Sequence, residues 1–253
     1  MNSSEQLQGT VALVTGASSG IGEATAVALA QRGARVALAA RRKDRLQQVA
    51  ERLGDSALVI EADVSDAEQA GAAVQQTVDE LGRLDILINN AGVMLLGPVQ
   101  DAPLEEWERM IDVNVNGLLY CAHAALPHLI GAAEDGPRQV ADMVNLSSVA
   151  GRVARRGSGV YNLTKFGVGA FSEALRQEVA GRHVRISVVE PGIVDTELQS
   201  HNRPEVQETI RQRFADVERL HSEDIAESIA FVVTRPRHAA VNELMIRPSE
   251  QTD

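Results

Sequence analysis

The sequence is short of cysteine, of basic charge and of long apolar runs, and each shortage removes a class of reading. Cys121 is the single cysteine and has no partner for an internal disulfide, which fits a reducing compartment. Lys and Arg number 24 against 35 Asp and Glu, and the net charge of -11 opposes attraction to nucleic-acid phosphates or anionic membranes. The sequence contains no stretch of about 18 consecutive apolar residues that could span a bilayer. The N-terminal ten residues are polar and lack the apolar segment of a secretory signal. A cytoplasmic protein is therefore expected, with neither nucleic acid nor membrane as a partner. The six histidines form no compact pattern such as His-Glu-x-x-His, so no metal ligands are expected.

What is present is a chain of 253 residues, 44% hydrophobic, enough for one sizeable core and read as a single unit over 1–253. Residues 10–15 form a short apolar run that ends in a glycine-rich turn, and 21–32 then carry alanine and leucine at helical spacing. Gly33 closes that helix. Strand-like 35–40, helical 43–53, strand-like 57–61, helical 67–81 and strand-like 85–88 continue the alternation. Strands follow at 140–146, 184–189 and 243–246, with helices at 114–129, 161–179 and 222–233, the last opened by a Ser-x-x-Asp/Glu type cap. Short apolar strands between helices imply a buried parallel sheet. The expected fold is α/β, a Rossmann-type doubly wound sheet of about seven mainly parallel strands with helices on both faces. Residues 131–138 read as a polar surface loop. Residues 195–219 are long, charged, weakly periodic and follow a strand, which reads as an active-site lid. Trp107 and Met110, at helix-like spacing, read as core contacts.

Thr15-Gly16-Ala17-Ser18-Ser19-Gly20-Ile21-Gly22 lies where the first strand gives way to a helix, the place where a dinucleotide pyrophosphate meets backbone N–H groups and a helix dipole. The spacing is Gly-x-x-x-Gly-x-Gly, which a plain turn can also carry. About twenty residues on, an NAD site would place an acid for the ribose 2'-hydroxyl, and here Ala40 stands there, followed by Arg41 and Arg42. Two guanidiniums suit a 2'-phosphate, so NADP(H) is the expected cofactor, although arginines at a strand end also simply solvate it.

Tyr161 and Lys165 are four positions apart and share one helical face. A free tyrosine has a pKa near ~10, leaving about one in a thousand as phenolate at neutral pH. A lysine charge at roughly 4 Å and an effective dielectric of about 20 would favour phenolate by up to ~4 kcal/mol. The bare pattern is also an ordinary helix-surface pair.

Taken in order, these residues resemble the motif set of the short-chain dehydrogenase/reductase family over nearly the whole chain. The turn resembles its Thr-Gly-x-x-x-Gly-x-Gly, Asp63-Val64 its adenine-contacting pair, and Asn89-Asn90-Ala91-Gly92 its Asn-Asn-Ala-Gly sequence. Asn114, Ser148, Tyr161 and Lys165 resemble its catalytic tetrad, with Ser148 chosen over Ser147 because the family's serine lies about thirteen residues before the tyrosine. The resemblance implies that Tyr161 is acid in reduction and base in oxidation and that Ser148 hydrogen-bonds the carbonyl oxygen. Lys165 would also hold the nicotinamide ribose, and Asn114 would position a relay water. It further implies that Pro191, Gly192, Ile193 and Thr196 form the nicotinamide wall, the Ile193 backbone and Thr196 contacting the carboxamide. The protein would then supply orientation, a proton and hydrogen bonds to developing alkoxide charge.

Residues 39–42, 89–99 and 241–248 also resemble bacterial clavaldehyde dehydrogenases and NADP-dependent 3-hydroxy-acid dehydrogenases, which implies a small carbonyl or alcohol substrate of that type. Residues 131–140 look longer than in that subgroup. Arg152, Arg155 and Arg156 lie between Ser148 and Tyr161, where they either attract a substrate carboxylate or solvate a loop. Met94 is a candidate pocket residue. An acyl-carrier-protein ketoreductase and a non-catalytic NADP-sensing regulator remain as alternatives. The resemblance implies a homodimer or homotetramer, with the helices after Asn114 and around Tyr161 as interface elements.

Overall fold

The computed structural model describes residues 6–252, so the start of the polar N-terminal stretch lies outside the described residues. Seven strands build one sheet: β1 Val11–Thr15, β2 Arg35–Ala40, β3 Ala57–Glu61, β4 Ile86–Asn89, β5 Ala141–Leu146, β6 Val184–Pro191 and β7 Glu243–Ile246. Their order is β3-β2-β1-β4-β5-β6-β7, and every neighbouring pair is parallel. The sequence Val-Ala-Leu-Val-Thr of β1 is buried at each position, as a strand covered on both faces must be. Its side chains alternate between two cores. Leu13 packs with α3 (Ala67–Leu81), α5 (Gly117–Asp135) and α6 (Gly159–Val179), whereas Ala12 and Val14 pack with α1 (Gly20–Ala30), α2 (Lys43–Leu53) and α8 (Ser222–Val233). Two shorter helices, α4 (Leu104–Ile111) and α7 (Pro204–Arg213), lie in the longer connections.

The strand order reverses at β1, with β2 and β3 on one side and β4 to β7 on the other. The connections leaving β1 and β4 therefore diverge and open a crevice at the carboxyl ends of the strands, which is where this architecture binds ligands. Among the described residues, no helix is long and apolar enough to cross a membrane.

Three local expectations need correction. The loop expected at 131–138 is mostly helix, because α5 continues to Asp135: Ala132 and Ala133 are buried against the α3 side of the core and carry the helix through a segment whose other residues are polar. Helix α7 sits inside the expected lid, its periodicity weak because Ile210 is its sole buried side chain. The cap of α8 acts one residue earlier than expected, with His221 donating its backbone N–H to Asp224 at 2.7 Å.

Candidate active site

The β1–α1 turn works by keeping backbone bare. Gly16 and Gly20 have φ of +66° and +58°, a region that side chains disfavour. A Cβ on Gly16 would fall 2.9 Å from Ala91 Cα, and one on Gly22 would fall 2.4 Å from the Gly16 carbonyl oxygen. The β4 exit is locked against this turn. Thr15 Oγ1 accepts from the N–H groups of Asn90 and Ala91 at 3.0 and 3.1 Å, and Asn90 Nδ2 donates to the Thr15 carbonyl at 2.8 Å. The result is a cavity of about 410 Å³ running from Arg41, Arg42, Asp63 and Val64 past Ser18, Ser19 and Ile21 to Tyr161 and Lys165. Bare turn backbone, an adjoining helix N-terminus and this elongated cavity together fit a dinucleotide.

At the far end of the turn, Arg42 donates to Ser19 Oγ at 2.7 Å and to Ser18 Oγ at 3.1 Å, and pairs with Glu197 at 2.8 Å. Arg41 lies 3.6 Å from Asp63. Burial alone would raise the Asp63 pKa, but the hydrogen bonds from Ser65 and the Arg41 charge outweigh it and hold the carboxyl below its ordinary value. Glu197 was not anticipated from sequence. It belongs to a short turn, Glu197–His201, that only the folding of the segment 195–219 brings back to Arg42 at the start of α2.

The catalytic end is built from β5 and α6. Ser147 is spent structurally, its hydroxyl donating to the Lys165 carbonyl at 3.0 Å. Ser148 caps the turn at Val149–Gly151 by accepting from Ala150 N–H at 3.1 Å, donates to the Pro191 carbonyl at 3.4 Å, and lies close enough to the Tyr161 hydroxyl to lower its pKa. Lys165 Nζ donates to the Leu146 carbonyl at 2.8 Å and sits 5.9 Å from the centre of the Tyr161 ring. Burial pushes Tyr161 up to about 12, with the Ser148 side chain opposing it, because a phenolate stripped of water is disfavoured. Burial also lowers Lys165 to about 8. Asn114 lies in a π-helical turn, Asp112–Asn116, and clamps Val93 from both ends of its amide: Oδ1 accepts from Val93 N–H and Nδ2 donates to Val93 O, each at 2.8 Å. Gly92 fits beside it, since a Cβ there would lie 3.3 Å from Asn114 Oδ1.

Pro191, Gly192, Ile193, Val194 and Thr196 form the wall leaving β6. The backbone of Ile193 is already engaged, its N–H by Gln251 Oε1 at 2.9 Å and its carbonyl by Leu220 N–H at 3.1 Å. Val194 and Leu220 form a parallel bridge whose hydrogen bonds run through Ile193 and Asp195, so Val194 turns its own N–H and C=O away from Leu220, on the side of the cavity it lines. Val194 is thus better placed than Ile193 to meet a carboxamide. Arg152 does not reach the mouth, because Glu190 and Glu243 hold it at 2.7 and 2.5 Å. Arg156 is exposed, whereas Arg155 lines the cavity together with Met94 and with Arg213 and Phe214 of the segment 195–219. Cys121 is buried in the core and its thiol is pushed up to about 12, which removes it as a nucleophile.

The chain matches the family model for short chain dehydrogenases over residues 10–207. It is 38% identical to an uncharacterized oxidoreductase of Staphylococcus aureus strain MRSA252, over 94% of this chain and 96% of that protein. Among solved structures, the closed form of a serine dehydrogenase complexed with NADP+ superimposes with a TM-score of 0.87 at 33% identity, covering 96% of this chain and 97% of that one. A 3-ketoacyl-(acyl-carrier-protein) reductase of Brucella melitensis complexed with NADH does so at 0.85 and 30% identity, covering 96% and 98%.

Proposed function

The chain belongs to the short-chain dehydrogenase family, and from that premise we propose that it is an NADP(H)-dependent oxidoreductase interconverting an aldehyde or ketone with its alcohol. The observation that carries this reading is the meeting, at one end of a dinucleotide-sized cavity, of the buried Tyr161 hydroxyl, its Ser148 partner and the Lys165 ammonium. The nicotinamide, when bound, supplies or accepts the hydride. Tyr161, protonated at neutral pH, donates its proton to the carbonyl oxygen, and Ser148 donates a hydrogen bond to the same atom. Lys165, still mostly protonated at neutral pH, stabilises the phenolate left behind. Asn114 holds the loop after β4 in place at Val93, and any relay water at this residue would use its main-chain carbonyl. Arg42, with Ser18 and Ser19, suits a 2'-phosphate, and the missing acid at Ala40 favours NADP over NAD.

The substrate in this reading carries a carboxylate, as a 3-hydroxy acid or a clavaldehyde-like aldehyde does. Arg155 and Arg213 line the cavity together with Tyr161 and Lys165. The likeness to a serine dehydrogenase points the same way. The likeness to a 3-ketoacyl-(acyl-carrier-protein) reductase supports a second reading, a carrier-linked thioester substrate. We also read the protein as cytoplasmic and as a homodimer or homotetramer, an arrangement that would cover Leu163 and Phe166, exposed on α6.

A panel of carbonyl compounds assayed with NADPH and NADH tests the proposal. Reduction should favour NADPH, and Tyr161→Phe should lower it by roughly 10²- to 10⁴-fold while leaving NADPH affinity unchanged. A wild-type protein that binds NADPH yet turns over none of the panel would be a cofactor-sensing regulator instead.

A further inference from the structure

Beyond β7 the chain folds back onto the cavity. Gln251 donates its backbone N–H to Pro248 O at 3.0 Å, is buried, and forms part of the cavity wall. Its side-chain oxygen accepts the Ile193 N–H at 2.9 Å. The approach is close: a Cβ on Gly192 would lie 2.3 Å from that oxygen and 3.1 Å from Arg247 Cα, so the glycine is what lets the tail reach the loop. The preceding residue makes a second attachment, the Glu250 carboxylate accepting the Glu218 N–H at 2.9 Å. These attachments fall on the two roots of the lid. Residue 193 stands just before the lid leaves β6 and residue 218 just before it returns, and between them Val194 and Leu220 bridge through Leu220 N–H to Ile193 O and Asp195 N–H to Leu220 O, at 3.1 and 2.8 Å.

We propose that Gln251 is a positioning residue: by holding the Ile193 N–H it fixes the loop after β6 so that the Val194 backbone faces the nicotinamide end, and with Glu250 it clasps both roots of the lid. The proposal builds on the reading that the cavity takes a nicotinamide dinucleotide. Ile193 is buried beside the cavity, so without Gln251 its N–H loses its protein acceptor, and the loop must shift or take up a cavity water to satisfy it. An amide N–H bonds one acceptor well, which is why a side chain with an oxygen at this position matters more than its bulk.

Two full-length variants separate the acceptor from the volume. Gln251→Leu removes the acceptor and keeps the bulk, whereas Gln251→Glu keeps an acceptor. For Gln251→Leu we expect NADPH, titrated by its fluorescence, to bind about tenfold more weakly, with kcat at saturating NADPH within about threefold of wild type. Amide hydrogen exchange of the cofactor-free protein should speed up at both 192–196 and 216–220, while β1, far from the clasp, exchanges at the wild-type rate and reports that the fold is intact. Gln251→Glu should restore binding and exchange to within about twofold of wild type. Unchanged exchange and affinity in Gln251→Leu would overturn the proposal. Tighter NADPH binding would overturn it too, since the tail would then be competing with the cofactor. If the wild-type protein binds no NADPH, the functional reading fails, and the exchange of the two lid roots still decides whether Gln251 holds them.

Discussion

Lys165 is 7% exposed, its ammonium donating to one backbone carbonyl, and burial lowers its pKa from 10.5 to about 8. The unfolded chain therefore binds a proton between those values that the folded protein does not, and stability rises with pH across that window. Read in the other direction, the contribution is complete above the unfolded value and is lost as pH falls through about 8. At neutral pH the buried charge costs on the order of 3 kcal/mol. Lys165→Met should thus raise the melting temperature at pH 7 while abolishing turnover, and its unfolding free energy should lack the rise between pH 8 and 10 seen in the wild type. A variant with the wild-type pH slope would show that another group titrates there. Tyr161 and Lys165 were legible as a pair because helical spacing is local. The burial of the phenol was not, because the side chains packed around it come from the loop after β4, from α4 and from the turn at Val149–Gly151.

At the scale of elements, the most heavily bonded charge lies outside the cleft. Asp142 of β5 is fully buried and receives Arg185 Nε and Nη2 at 2.7 and 3.0 Å, with Arg138, just after α5, as a second partner. The β5–β6 register sets Asp142 directly beside Arg185. The remaining Arg185 donors reach the carbonyls of Val233, Arg235 and Ala239, stapling β6 to the end of α8. Asp142→Ala would leave two buried guanidiniums without their carboxylate, and urea denaturation should show a loss of roughly 3–5 kcal/mol. A loss below about 1 kcal/mol would mean that solvent reaches the pair. None of this was readable from the chain, where Arg138 belongs to a stretch taken for a surface loop and Asp142 and Arg185 are 43 positions apart. The strands and most helices, by contrast, were readable to within a few residues. The strands show as short, mostly apolar runs and the helices as burial at every third or fourth residue, and only where burial rests on a single side chain, as with Ile210 of α7, did the pattern fade.

At the scale of the whole molecule, a net charge of -11 surrounds a catalytic end lined by Arg155, Arg213 and Lys165. If the substrate is the carboxylate proposed above, that outer charge would repel it at long range, and added salt should speed its capture. For a 3-oxo or 3-hydroxy acid we expect Arg155→Met and Arg213→Met each to raise KM about tenfold, and for a neutral ketone to leave it within about twofold. Equal effects on both substrates would remove the carboxylate from the proposal.

The sequence by itself determined the alternation of strands and helices, the glycine turn, the absence of an acid at Ala40 and the order of Asn114, Ser148, Tyr161 and Lys165. Each is a property of near neighbours along the chain: side-chain periodicity, backbone conformations that only glycine adopts easily, and spacing on one helix. Tertiary structure decided which arginine of the Arg152, Arg155, Arg156 group lines the cleft, that Val194 and not Ile193 turns its backbone that way, and that Gln251, 58 residues further on, holds Ile193. Those outcomes follow from sheet register and from the folding of the lid and tail onto β6, and such contacts between distant segments leave no periodic trace in the chain.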